Sequence, residues 1–438
     1  MKDFLRLAEK VFIIFSFLYF TSSLDFLARG LQPPVDPSLE AAGVPIDNSY
    51  ESSSVLLALQ VVILGITLFL ACKRWQSIVY VAQRKKLFWV FVGIFMTSAL
   101  WSDIPNFTFR RSIILLGATL FGLYLSACYT IREQMRFLAS ATGVAALLCV
   151  FFALVFPSIG IESGEHAGAL RGIYIQKNSL SEVMALSSLV FLLVALDSRR
   201  YRKLVWAGFG LSVMLLLLST SKTGLVVFLL LMLLLPLVRA LRWNYTFVIP
   251  FFITLLLIVG GVAILLVGNA QTILNALGRD VTLTGRTGIW NIVIEKILKR
   301  PWLGYGYMGF WRGMEGESAD VWYDTYFMAP HAHNTYLDLA LQFGFVGLLV
   351  FMLSFLVNYL RAIAWVRLNP TTEGLWPIMF LNLTLLYSTT ETLFVSPTSP
   401  WVLYTALTTS MLVQPIKISG SQSLDIAGVN PISKTHSL

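Results

Sequence analysis

The chain has 438 residues, 57% hydrophobic and only 13% charged, with a formal net charge of +9. A soluble domain carries about 25% charged residues, so this composition excludes an ordinary soluble protein and points to a polytopic membrane protein. The basic excess does not describe a nucleic-acid binder: the lysines and arginines fall in short clusters between apolar runs, where the positive-inside rule places them, and form no single patch.

A helical span needs about 20 mostly apolar residues. In chain order, apolar runs predict spans over 11–25, 55–72, 87–102, 110–128, 137–157 and 178–197. A second set follows over 204–219, 223–240, 246–267, 335–360, 375–391 and 401–415. The expected fold is therefore an all-α polytopic membrane protein of about 12 transmembrane helices, with one long extracytoplasmic loop carrying short helices. The first run follows Lys2, Arg6 and Lys10, as in a signal peptide, but no A-x-A cleavage site follows it, and it reads as an uncleaved helix. With the N-terminus cytoplasmic, Lys73, Arg74, Lys85, Arg199, Arg200, Arg242 and Arg367 all fall on the cytoplasmic side. Residues 1–438 read as a single transmembrane domain, 268–334 as a long extracytoplasmic segment within it, and 416–438 as a mobile cytoplasmic tail. Cys72, Cys128 and Cys149 form no C-x-x-C pair and no metal-ligand spacing.

Basic residues on the outer side are informative because topology does not require them there. Arg171 lies in Leu170-Arg171-Gly172, with Lys177 six residues on, directly before an apolar run. Arg286 lies in Gly285-Arg286-Thr287-Gly288 and opens an expected helix near 288–299. An arginine at a helix N-terminus, among glycines that allow close approach, suits a phosphate or diphosphate. The same helix also reads as an amphipathic element lying in the interface, facing lipid headgroups. Arg279 is a less specific basic candidate, and Lys222 reads equally as a snorkelling side chain or a further phosphate contact.

The second constellation is Pro330-His331-Ala332-His333-Asn334, set where a span begins. Imidazole there can act as a base near neutral pH, and Asn334 can orient an acceptor or cap the helix. A purely structural histidine pair is the alternative. His-x-His also supplies two metal ligands, but no third cluster accompanies it in sequence, so no metal is assigned. Among acids, Asp103 and Glu391 sit near outer span ends, and Glu182 lies one turn inside a span, where pairing with Lys177 or Arg171 is its expected role.

Taken in order, Trp101-Ser102-Asp103-x-Pro105, Arg171-Gly172, Lys177-Asn178, Gly285-Arg286-Thr287-x-x-Trp290, Pro301-Trp302-Leu303-Gly304-Tyr305-Gly306, His333-Asn334-x-Tyr336-Leu337 and Gly344-Phe345-Val346-Gly347-Leu348 resemble the bacterial O-antigen ligase and polysaccharide polymerase superfamily. Within it the set is similar to exopolysaccharide polymerases of the ExoQ type, over roughly residues 100 to 350. The resemblance implies a bacterial inner-membrane glycosyltransferase with its active site facing the periplasm. Its donor would be an oligosaccharide on undecaprenyl diphosphate, and its acceptor a glycan hydroxyl, in a polymerase, or lipid A–core, in a ligase. It implies no metal or nucleotide cofactor; the partners would be these substrates and membrane lipids, with no nucleic acid. Arg171 and Arg286 would hold the diphosphate, with Lys177 matching the motif in an unassigned role, and His333 would activate the acceptor beside His331. Polymerisation of repeat units is the leading expectation and ligation its alternative. A polysaccharide transporter is the rival of another class, although repeated halves and broken midplane helices are not evident.

Overall fold

The computed structural model describes residues 2–29, 54–163, 167–251, 253–254, 286–325, 329–414, 416–417 and 423–424. Apart from one two-residue antiparallel pair, Ile416–Lys417 with Ser423–Leu424, its regular elements are helices. The main ones are α1 (Lys2–Phe20), α2 (Ser54–Lys73), α3 (Trp75–Ala82), α4 (Lys86–Thr97), α5 (Pro105–Cys128), α6 (Ile131–Val155) and α7 (Lys177–Asp197). They are followed by α8 (Arg202–Leu218), α9 (Lys222–Ala240), α10 (Arg286–Lys299), α11 (Ser318–Thr325), α12 (Thr335–Leu368), α13 (Trp376–Tyr387) and α14 (Ser399–Val413).

Local chemistry sets several of these boundaries. Thr130 and Glu133 form a capping box at the start of α6, each side chain bonding the other's backbone N–H. The Asn334 side chain accepts from the N–H groups of Tyr336 and Leu337 and so caps α12. Proline stands in the first turn of α5, α13 and α14, where no partner for its missing N–H is needed.

Among the described residues only six helices are long and apolar enough to cross a membrane: α2, α5, α6, α7, α9 and α12. The expectation of about twelve spans is therefore corrected. The apolar runs at 87–102, 375–391 and 401–415 form helices of 12, 12 and 15 residues, about 18 to 22 Å long and short of the roughly 30 Å hydrocarbon core. The first run belongs to α1, whose opening half carries Asp3, Arg6, Glu9 and Lys10, and the run at 204–219 is the 17-residue α8. Most of 246–267 lies outside the described residues. The reason for the excess is burial. Nearly every residue of α13 and α14 is enclosed by protein. A helix that is apolar all round reads like a lipid-facing span whether its cover is lipid or neighbouring helices. Nor do the described residues present a long loop carrying short helices. From Arg286 onward the chain forms a packed cap in which Ile289, Val293, Ile297, Tyr305, Phe310 and Val321 share an apolar core. Residues 268–285, Arg279 among them, lie outside the described residues, as does most of 416–438.

Polar side chains join the helices within the bundle. Trp401 donates to Thr119 (2.9 Å), Asn358 to Tyr404 (2.9 Å), Tyr359 to Asn382 (3.0 Å) and Gln134 to Ser410 (3.0 Å). Where lipid offers no hydrogen-bond partner, such bonds favour one packing over its alternatives. They leave two distinct ends. At one, Arg74 binds Glu9, Arg132 binds Asp197 and Glu373, and Arg242 donates to the carbonyls of Val366, Asn369, Pro370 and Thr371. At the other, Asp103 before α5 binds Arg300 of the cap, Trp311 of the cap binds Asp338 of α12, and Ser221 before α9 binds Asn178 of α7.

Candidate functional site

The cap is fastened to α12 by an exchange of backbone hydrogen bonds. Gly344 interrupts α12 with φ 64° and ψ −170°, so the helix breaks there and leaves backbone groups without helical partners. The segment Pro301–Gly306 supplies them: Phe345 donates to the Pro301 carbonyl (2.7 Å), Tyr305 to Leu341 (2.9 Å) and Gly306 to Gln342 (2.9 Å). A Cβ on Gly344 would meet the Trp302 carbonyl carbon at 2.2 Å, and one on Gly304 would meet the Leu341 oxygen at 2.5 Å. Glycine is required on both sides because two backbones touch there, beyond the ease of its positive φ.

The first half of α12 presents the histidine turn. His333 has φ 49°, in the left-handed region that non-glycine residues avoid at a cost of about 1–3 kcal/mol. Hydrogen bonds hold the turn. Trp290 of α10 donates to the Ala332 carbonyl (2.9 Å), the Ala332 N–H donates to Asp338 (3.0 Å), and the His333 N–H donates to Nδ1 of His331 (3.2 Å). Asp338 is fully buried and also accepts from Trp311 of the cap (2.7 Å) and from the Thr392 hydroxyl. One carboxylate thus ties α12, the histidine turn, the cap and the 388–398 segment together.

Glu391 comes from that last segment, which Thr335 holds by donating to the Glu391 carbonyl (2.9 Å) and accepting from the Leu393 N–H (3.0 Å). One Glu391 oxygen accepts from Arg286 (3.1 Å) and the other faces Nδ1 of His333 (3.2 Å). All three side chains are largely buried, with 11–17% exposure. Burial pushes the Glu391 carboxyl up, but the His333 hydrogen bond and the nearby histidines and Arg286 outweigh it, and the group lies below its ordinary value. His331 is pushed down to about 3, first by burial and then by His333 and Arg286, with Glu391 opposing. It is a neutral acceptor at physiological pH.

The other sequence candidates fall in separate places. Arg171 donates to the carbonyls of Ile159 (2.8 Å) and Ser158 (3.1 Å), holding the turn before α7. Lys177 starts α7, and its N–H donates to Glu162. The expected pairing of Glu182 with Arg171 or Lys177 is not formed; the acid that meets this segment is Glu162. Asp103 binds Arg300 of the cap (3.0 Å), and Lys222 starts α9 as an exposed residue. Sequence reasoning singled out His333, His331, Asn334 and Arg286, which the structure brings together. It gave Glu391 no role at the histidine and missed Asp338.

The cluster also supplies the third donor that was not evident in sequence: ligand atoms of His331, His333 and Glu391 lie within 4.8 Å of one another. Their present bonding favours proton chemistry over a cation. Both Glu391 oxygens are engaged, and a metal there would sit beside the fixed positive charge of Arg286.

Residues 207–352, which include Arg286 and both histidines, match the family described as O-antigen ligase. An exopolysaccharide production protein, ExoQ of Rhizobium meliloti, is 26% identical over 299 residues, covering 63% of this chain and 66% of that protein. Both matches support a resemblance of this chain to the O-antigen ligase and polysaccharide polymerase superfamily. Two Rickettsia proteins named "Putative polysaccharide ligase" agree over shorter stretches. The R. conorii protein is 34% identical over 82 residues, and the R. prowazekii protein 33% over 87. These stretches cover 18% and 19% of this chain, and 20% and 21% of those proteins. The chain thus spans just under two thirds of the length of ExoQ and about a fifth of the ligases. The resemblance suggested by the ordered motifs is borne out by these matches.

Proposed function

We propose that this protein transfers a glycan from undecaprenyl diphosphate to a sugar hydroxyl, and that the His333–Glu391–Arg286 cluster is its reaction centre. The observation that carries the reading is the shared carboxylate: one residue orients both a potential base and a potential anion binder. With Nδ1–H donating to Glu391, the basic lone pair of His333 lies on Nε2, the atom that takes the acceptor proton. The acceptor oxygen then bonds to the anomeric carbon while the bond from that carbon to the diphosphate oxygen breaks. The leaving group is undecaprenyl diphosphate, whose developing charge the cation of Arg286 stabilises. Arg171 and Lys177, at the same end of the bundle, bind the same diphosphate, and residues 268–334 face the periplasm as part of a single transmembrane domain.

Two readings of the acceptor differ. The family description and the names of the Rickettsia relatives favour ligation, so attachment of a finished glycan to an acceptor such as lipid A–core replaces polymerisation as the leading reading. ExoQ is named only for production of an exopolysaccharide. Deletion of the gene separates them. Unligated polymer with bare acceptor supports ligation, and single repeat units without polymer support polymerisation. A normal envelope glycan profile would remove both.

A further inference from the structure

A cavity of about 770 Å³ lies at the opposite end of the bundle from Glu391. It is a groove between α6 and α8 with α7 as its floor. Phe191 forms that floor, and Gly143 and Gly208 flank it; a Cβ on Gly208 would meet the Phe191 ring at 2.4 Å. The walls are apolar, with Val144 and Leu147 from α6 and Leu204 and Leu211 from α8. The rim is cationic, formed by Arg132, Arg136, Arg199 and Arg200. Asp197 and Glu373 also line it, but both bind Arg132. Among the described residues no carboxylate pairs with Arg136, Arg199 or Arg200, so the rim holds four arginines against two acids and keeps a net positive charge.

We propose that this groove binds an anionic phospholipid, its phosphate on the arginine rim and one acyl chain along the trough. Charge complementarity selects the headgroup, since an apolar trough ending in unpaired guanidinium groups fits a lipid phosphate better than a zwitterion or a neutral tail. Length selects a lipid of one leaflet. From Arg136 to Leu147 the α6 wall rises about 16 Å, close to half of the roughly 30 Å hydrocarbon core. The helix ends that bring the arginines together are an interfacial position, where a bilayer lipid presents its phosphate. The site is separate from the proposed reaction centre, and binding there is read without any assay of transfer.

Native mass spectrometry of the detergent-purified full chain tests it, with phosphatidylglycerol and phosphatidylcholine of identical acyl chains as probes. The expected result is retention of phosphatidylglycerol at least about tenfold stronger than phosphatidylcholine, with the preference weakening as salt rises. Replacing Arg136, Arg199 and Arg200 together by alanine should remove the preference; all three are exposed, so the fold should survive. Ser140→Trp, from an exposed position on the groove wall, should lower retention of both lipids. Equal retention of the two lipids by the wild type, or an unchanged preference in the triple variant, would overturn the proposal. Stronger retention of undecaprenyl phosphate than of phosphatidylglycerol would overturn it in favour of a carrier-lipid site.

Discussion

Glu391 shows how a single carboxylate can organise a site. It holds Arg286 on one oxygen and His333 on the other, across 105 and 58 residues of sequence. Neither separation corresponds to a helical or strand period, which is why the residue was legible only as one acid among several. His333 and Asn334 were legible because their chemistry is local: a capping residue at the start of a long apolar helix, with an imidazole one position before it. His333→Ala should lower turnover by about 100- to 10,000-fold while donor binding persists, as measured in membranes containing equal amounts of protein. Glu391→Gln keeps the shape but removes the charge that orients both partners. It should impair turnover and donor binding together, which distinguishes it from His333→Ala; a variant that loses only one of the two would contradict the shared role. His331 makes a separate prediction. Its folded value of about 3 lies below the ordinary histidine value of 6.5, so between those limits the unfolded chain binds more protons than the folded one. Its contribution to stability is therefore complete above about 6.5 and falls as pH drops toward 3. His331→Asn should flatten the loss of thermal stability between pH 6.5 and 4 in detergent. A variant as acid-sensitive as the wild type would show that the ring is protonated in the folded state.

At the level of elements, hydropathy found apolar helices and misread what covers them. The segments α13 and α14 look like spans because they are apolar all round, but neighbouring helices enclose them and they are too short to cross. The long α12 carries a break that composition does not show, because one glycine in an apolar run is ordinary in a membrane helix. The two motifs that flank the histidine turn explain each other once the break is seen. Pro301–Gly306 lays its backbone against the one opened at Gly344. Each carries a glycine at the point of contact. Gly344→Ala should destabilise by at least about 1–3 kcal/mol, from positive φ and from collision with Trp302. Gly304→Ala should cost a similar amount. Because both damage one contact, the double variant should lose less than the sum of the singles. Thermal unfolding of the four proteins in one detergent measures this cycle, and strict additivity would mean that the two glycines do not act at a common seam.

The whole molecule is polarised along its length. Of the six candidate spans, five begin at the end that carries Glu391: α2, α5, α7, α9 and α12. Each turns the positive end of its dipole there, worth about 0.3–1 kcal/mol to an anion within the first turn. The opposite end collects Arg74, Arg132, Arg199, Arg200, Arg242 and Arg367, in the places where short basic loops mark a cytoplasmic surface. Both patterns agree with the proposed orientation, in which the cap faces outward and the basic loops inward. The sequence suggests the same orientation, because basic loop residues mark one side whatever the number of true spans. Glu315 of the cap has a 76% exposed side chain, and Ser198 sits between α7 and the arginine rim, so each is an accessible reporter of its own end. With Cys72, Cys128 and Cys149 replaced by alanine, Glu315→Cys should react with a membrane-impermeant maleimide on intact spheroplasts. Ser198→Cys should react only after permeabilisation. The reverse pattern would place the histidine cluster on the cytoplasmic side. A donor flipped outward could not then reach it, and the proposed transfer reaction would fail together with the topology.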